Sequence, residues 1–226
     1  MALLVSGLAG CDGNALAEVT SVPAPTANGT LEAMPQLHLL PDLPVLETSR
    51  LKHGSLLKQL HFQDKDGEAV VLLSRESGVM KGKDVEDDSE QVVLRAALYR
   101  RVNAGAPFEM AWQREQSVEC QGLDLDVGYF LNQVQATDLD RDGRAEITLA
   151  SHNSCGGGVD PQQLKIELLQ GRQRYAIDGE SLIEIDGDTP FGGERSDSDN
   201  LAGAPAVFRA HLNQVWEQVK RMPRSD

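Results

Sequence analysis

Residues 163–177 read QLKIELLQGRQRYAI. Leu164, Ile166 and Leu168 alternate with Lys165 and Glu167, Gly171 breaks the run, and Tyr175 to Ile177 resume it. Strand side chains change face at every residue, so a period of two marks a half-buried strand; a glycine between two such runs marks a hairpin. The same period recurs upstream. Ala145, Ile147 and Leu149 share one face, with Glu146 and Thr148 between them. Leu56, Lys58, Leu60 and Phe62 predict a strand, and AVVLL at 69–73 predicts a short buried one. Between those two lies QDKDG at 63–67, an Asp-Gly hairpin signal. Val92, Leu94, Ala96 and Leu98 alternate with Val93, Arg95, Ala97 and Tyr99; this favours a strand and leaves a helix open. Phe108, Met110 and Trp112 alternate again. Two stretches read as loops: the charged 78–90, and 187–200, which is rich in Gly, Asp and Ser. The chain closes on a different period. Phe208, Leu212, Val215, Trp216 and Val219 fall at i, i+4, i+7, i+8 and i+11, one face of an amphipathic helix, with Pro205 near its start. The expected fold is mainly β, an antiparallel meander of hairpins, with one C-terminal amphipathic α-helix packed on the sheet. One globular domain is expected over 37–223.

One motif carries chemistry. Residues 138–146 read DLDRDGRAE. Hard divalent cations take several oxygen ligands, and Ca²⁺ takes six to eight. Carboxylates at Asp138, Asp140 and Asp142 can converge on one point if the loop is tight, and Gly143 permits the turn. Arg144 would offer its backbone carbonyl, and Glu146 would reach the ion directly or through water. An EF-hand would place a bidentate Glu at position 12, which here is Leu149. The other reading is an acidic hairpin turn, with Asp and Gly chosen for turn geometry. The metal reading favours Ca²⁺ over Mg²⁺, in a structural role and at an affinity on the order of 0.1–1 mM. Asp64, Asp66, Gly67 and Glu68 form a shorter echo and read as a turn, as do Asp186, Gly187 and Asp188. The short loop running into a strand resembles the calcium loops of FG-GAP blades in β-propellers, over nine residues only.

The first residues carry an address. Ala2 to Ala9 is a short stretch of apolar and small residues, too short to span a bilayer as a helix and of the length of a signal-peptide core. Leu8-Ala9-Gly10-Cys11 resembles the lipobox of bacterial lipoproteins, in which the chain is cut before the Cys and its thiol is lipidated. That resemblance makes Cys11 the lipidation site and residues 1–10 a signal peptide. No Lys or Arg precedes Arg50, so the basic opening of such a peptide is missing and the leader is expected to be truncated at its start. Residues 11–36, rich in Ala, Pro, Thr, Gly and Asn, read as a flexible tether. The expected location is the periplasmic side of the cell envelope, on a lipid anchor, in either membrane.

Two further cysteines, Cys120 and Cys155, remain after Cys11. An even remainder in an exported chain favours a disulfide, and closing a loop of this length is worth roughly 3–4 kcal/mol. Zinc is disfavoured because no CxxC or HxxxH spacing occurs. Gly156 to Gly158 lack the Lys and Ser/Thr of a phosphate loop, His152 reads as a packing or surface residue, and Ser154 has no nucleophile-elbow context. No catalytic residue is assigned.

Trp112, Cys120 with Asp124, TDLDRDGRAEITL at 137–149, Cys155, the hairpin LKIELLQGRQRYAIDGE and the C-terminal FxxxLxxVW pattern together resemble a group of bacterial exported proteins. Members are sometimes labelled as acting in surface polysaccharide biosynthesis. The resemblance covers about half the chain and implies an exported fold without catalytic residues. The Gly usual in the DGD of such loops is Arg141 here, and that position is expected to point outward.

Of 226 residues, 35 are acidic and 21 basic, a net charge of -14. That balance excludes nucleic acid, whose phosphates need a basic patch, and electrostatic docking on anionic lipid. The expected function is a lipid-anchored envelope protein with a calcium-stabilised β domain in a non-enzymatic binding or assembly role. Its partners would be the membrane, through the anchor, and an envelope protein or polysaccharide. An envelope hydrolase or polysaccharide-modifying enzyme, using the metal or a carboxylate pair, is the alternative.

Overall fold

The computed structural model describes residues 36–221, except 52, 53, 85–87, 123, 158 and 186. The expected leader, Cys11 and all of the tether but Gln36 lie outside the described residues, as do Asp186 and Gly158.

Strands β1 (His38–Leu39), β2 (Ser55–Asp64), β3 (Gly67–Met80), β4 (Ser89–Arg101) and β5 (Glu109–Cys120) form one antiparallel meander in that order. The next strands are β6 (Leu125–Tyr129), β7 (Gln135–Thr137), β8 (Glu146–Cys155), β9 (Gln163–Gln170) and β10 (Gln173–Glu180). Together with β13 (Arg195–Asp197) they make a second sheet ordered β13-β10-β9-β8-β6, and β7 pairs the first residues of β8. Strands β11 (Leu182–Ile183) and β12 (Phe191–Gly192) form a two-stranded ladder beside it. Helix α2 (Ala206–Val219) is C-terminal, and α1 (Val45–Thr48) is a single turn. The mainly antiparallel β class with a C-terminal helix is therefore what the chain adopts.

The two large sheets pack face to face. Phe62, Ala69, Val71, Leu73, Ala96 and Leu98 from the first meet Ala136, Ile147, Leu149 and Leu169 from the second. On the outer face of the second sheet, Ala150, Leu164, Ile166, Leu168 and Ile177 receive Phe208, Leu212, Val215, Trp216 and Val219 of α2. These five helix residues are the ones the period of 3.6 selects, and all are buried. Pro205 occupies the cap just before the helix rather than its first turn. Strand β8 is thus covered on both faces, which explains why Glu146 and Thr148, polar in the sequence pattern, are both fully buried. Gly179 of β10 is required by this packing: a Cβ there would stand 2.5 Å from the Trp216 ring and 2.3 Å from the Glu194 carbonyl oxygen.

The sequence expectations need four corrections. Val92 to Tyr99 is strand throughout, so the helix reading of that segment falls. The 78–90 loop is shorter than expected, because β3 runs to Met80 and β4 begins at Ser89; the exposed end of β3 carries no apolar alternation to reveal it. The 187–200 loop contains β12 and β13, whose short pairings with β11 and β10 leave mostly exposed side chains and hence no hydrophobic signal. Phe108 and Trp112 do not share a face: the register slips between Leu98 and Tyr99, a bulge at Ala111. Trp112 packs into the core between the sheets, while Phe108 packs on the opposite face with Leu43, Val70 and Leu72.

Cys120 at the end of β5 and Cys155 at the end of β8 are disulfide-bonded, with a Cα–Cα separation of 5.4 Å. The bond staples the edge of one sheet to the other.

Candidate metal centre

The chain between β7 and β8 is the DLDRDGRAE loop. Its backbone is organised by its own carboxylates. The Gly143 N–H donates to Asp138 at 3.2 Å, the Asp142 N–H to Asp140 at 3.2 Å and the Arg144 N–H to Asp142 at 2.7 Å. These turn-forming bonds wrap the chain so that Asp138, Asp140, Asp142 and Glu146 each place one carboxylate oxygen within 4.8 Å of the others. Four carboxylates so placed could hold a metal ion. Arg144 directs its guanidinium to Asp66 at 3.0 Å, so what it can offer a cation is its backbone carbonyl.

Glu146 is the buried member of the group. The Leu139 N–H donates to its Oε2 at 2.7 Å and Gln170 Nε2 to its Oε1 at 2.8 Å. Burial, followed by the charges of Asp140, Asp138 and Asp142, nevertheless pushes its carboxyl up to about 7, the Leu139 bond opposing. A divalent cation among the four would reverse that balance, because an adjacent positive charge favours the ionised acid.

The loop is braced from the other sheet by the acidic turn at 64–68. Asp64, at the end of β2, is buried and takes two hydrogen bonds from Arg100, at 2.7 and 2.8 Å. It also accepts the Asp66 N–H at 2.9 Å and, across the sandwich, the Ala145 N–H at 3.0 Å. The Lys65 N–H donates to the Gly143 carbonyl at 2.9 Å, and Lys65 Nζ donates to the Asp142 carbonyl. The β2–β3 turn therefore clamps the exit of the acidic loop. The available signal was the acid-rich echo at 64–68; what one strand pattern cannot reveal is that two turns far apart in sequence meet. Gln170 of β9, which bonds both Asp140 and Glu146, was missed for the same reason.

Arg141 stands at φ 60°, in the left-handed region, and Gly143 at φ 83°. A Gly at the Arg141 position would adopt this backbone without strain. A left-handed non-Gly residue costs roughly 1–2 kcal/mol, and Gly in the unfolded chain gives back about 0.5–1 kcal/mol of that advantage. Arg141→Gly is expected to stabilise the protein by about 0.5–1 kcal/mol, read as a higher urea midpoint at unchanged slope.

The remaining sequence candidates do not join this centre. His152 is a packing residue, its ring 4.9 Å from that of Phe130 and its Nδ1 3.7 Å from Asp126. Burial holds its imidazole below the usual histidine range, against the opposing charge of Asp126. Among the described residues no helix is long and apolar enough to cross a membrane. No protein family model, curated protein or solved structure matches the chain.

Proposed function

We propose that the chain is a lipid-anchored protein of the bacterial cell envelope whose β domain is stabilised by Ca²⁺ in the Asp138–Glu146 loop and acts in binding or assembly, without catalysis. The observation that carries the reading is the convergence of four carboxylates on one point, clamped by Asp64 and Lys65 from the opposite sheet. A cation there would tie the end of β7 to the start of β8, within a loop that hydrogen bonds hold to the β2–β3 turn, which is a structural role. The all-oxygen donor set suits a hard cation. An irregular loop with a carbonyl as a further ligand suits Ca²⁺, since Mg²⁺ demands near-ideal octahedral geometry. The address rests on Cys11 behind Leu8-Ala9-Gly10 and is supported by the Cys120–Cys155 disulfide, a bond that persists in oxidising compartments.

Both parts are testable. Cys11→Ala should abolish incorporation of labelled palmitate into the chain in a bacterial host; unchanged labelling would refute the anchor. Excess Ca²⁺ should raise the melting temperature of the full chain above its value in EDTA. Saturation at one hundred times the dissociation constant is worth about 2.7 kcal/mol, several degrees for a domain of this size. Asp140→Ala should remove the rise while leaving the EDTA melting temperature nearly unchanged, because Asp140 is exposed and loses only the turn bond from the Asp142 N–H and an exposed 3.3 Å bond from Gln170. Equal Ca²⁺ responses in the two chains would contradict the assignment.

A further inference from the structure

The inner face of the second sheet changes character along its length. Residues directly opposite in an antiparallel pair share a face. Ile147 opposes Leu169, Leu149 opposes Glu167, and Ser151 opposes Lys165 and Tyr129. Arg174 opposes Leu169. The face that begins as apolar core at Ile147 and Leu169 therefore continues as Glu167, Lys165, Ser151 and Arg174. On the first sheet, Ala96 and Leu98 mark the inner face, and their partners are Arg114 and Trp112. Gln116 lies on the same face, and its Oε1 accepts the Ser151 hydroxyl across the gap at 3.2 Å.

Where the edge strand β5 passes over this polar end, the sandwich leaves a cavity of about 310 Å³, open to solvent on one side and lined from both sheets. That volume is at the lower end of those of small-ligand sites. Its charges do not cancel. Glu167 is paired with Arg174, and Glu115, on the outward face of β5, is held by Arg95 at 2.7 Å. Lys165 has one distant partner, Asp178 at 3.8 Å, and both are well exposed, so the pair is weak. Arg114 has no ion-pair partner among the described residues. In a chain of net charge -14, the cavity lining keeps one positive charge in excess, Arg114, Lys165 and Arg174 against Glu115 and Glu167, and Arg114 and Lys165 are the cations left without a close partner. Tyr129 supplies a donor: burial first, then the charge of Glu167, raises its phenol well above the usual range, so it stays protonated. Its hydroxyl has no hydrogen bond to another described residue.

We propose that this inter-sheet cavity is a binding site for a small anion bearing a carboxylate or phosphate, held by Arg114 and Lys165 with the Tyr129 hydroxyl as a third donor. The inference is independent of the metal loop. A guanidinium presents a planar fork that matches both kinds of oxyanion, and the adjoining Leu149 side chain offers the ligand an apolar wall.

Calorimetric titration of the full chain tests it, after divalent cations have been stripped and the chelator removed so that neither the acidic loop nor a competing carboxylate takes part, at constant ionic strength. Inorganic phosphate and malonate are the two probes, and they distinguish the phosphate from the carboxylate source. At least one should bind saturably at millimolar concentration or below. Arg114→Ala and Lys165→Ala should each weaken that binding about tenfold or more, the loss of roughly one charge-assisted hydrogen bond. Both substitutions remove exposed or weakly paired side chains, so the melting temperature without ligand should hold and serves as the folding control. Absence of saturable binding by both probes, or binding that survives both substitutions unchanged, would overturn the proposal.

Discussion

Asp64→Ala is expected to cost about 3–5 kcal/mol, the range for removing one member of a buried ion pair. The carboxylate has negligible exposure and answers four donors: two from Arg100 and the N–H groups of Asp66 and Ala145. Removing it strands the guanidinium against the Phe62 ring and leaves the N–H of Ala145 buried without a partner. Asp64→Asn keeps the shape and one acceptor but leaves Arg100 uncompensated, so it should fall between wild type and Ala. Urea unfolding at neutral pH measures both. Burial alone would raise the Asp64 carboxyl, but hydrogen bonds from Arg100, Ala145 and Asp66 and the Arg100 charge outweigh it, and the net shift is downward. A folded-state value below the unfolded one, about 3.9, means that the contribution is fully present above that pH. It is lost as pH falls through the lowered value. The gap between wild type and Asp64→Ala should therefore be widest near neutrality and close below about pH 3.9. A gap that stayed constant into acid would assign the loss to packing rather than to charge.

Trp216→Ala should be comparably damaging, about 3–5 kcal/mol as for other buried aromatic truncations. Trp216 heads the fully buried side chains by volume and sits where α2 crosses β10 at Gly179, with Arg195 6.0 Å from its ring. The close approach that forbids a side chain at Gly179 also leaves little for the helix to settle into once the indole is gone, so a cavity remains. The loss should appear as a lower urea midpoint, with α2 and the outer face of the second sheet losing amide protection first. Val207→Ala, at an exposed position on the same helix, is the control and should stay within about 0.5 kcal/mol. Equal losses in the two variants would mean that α2 does not dock through the face assigned to it.

Much of the architecture is legible where one face is buried and the other is wet. The 163–177 hairpin and the five apolar positions of α2 follow from their periods alone, because burial selects every second or every third to fourth residue. Strand β13 and the far end of β3 carry no such contrast and could be found only from the pairing itself. The acidic loop is legible as a loop, since three Asp at alternate positions and a Gly state its geometry locally. Its clamp is not, because Asp64 and Ala145 are joined by an 81-residue separation that no local pattern encodes. The inter-sheet cavity is hidden for the same reason: Arg114 and Lys165 each look like an ordinary solvent-facing residue of an alternating strand until register places them on facing sheets.

The central claim is that Asp138, Asp140, Asp142 and Glu146 act together as one cation site. Calorimetric titration of Ca²⁺ into the chelator-stripped full chain tests this most directly. The account predicts one ion per chain, with a dissociation constant on the order of 0.1–1 mM and weaker binding of Mg²⁺. It also predicts loss of the Ca²⁺ heat in Asp140→Ala. No saturable heat in the wild type, or undiminished heat in Asp140→Ala, would reduce the DLDRDG loop to an acidic turn.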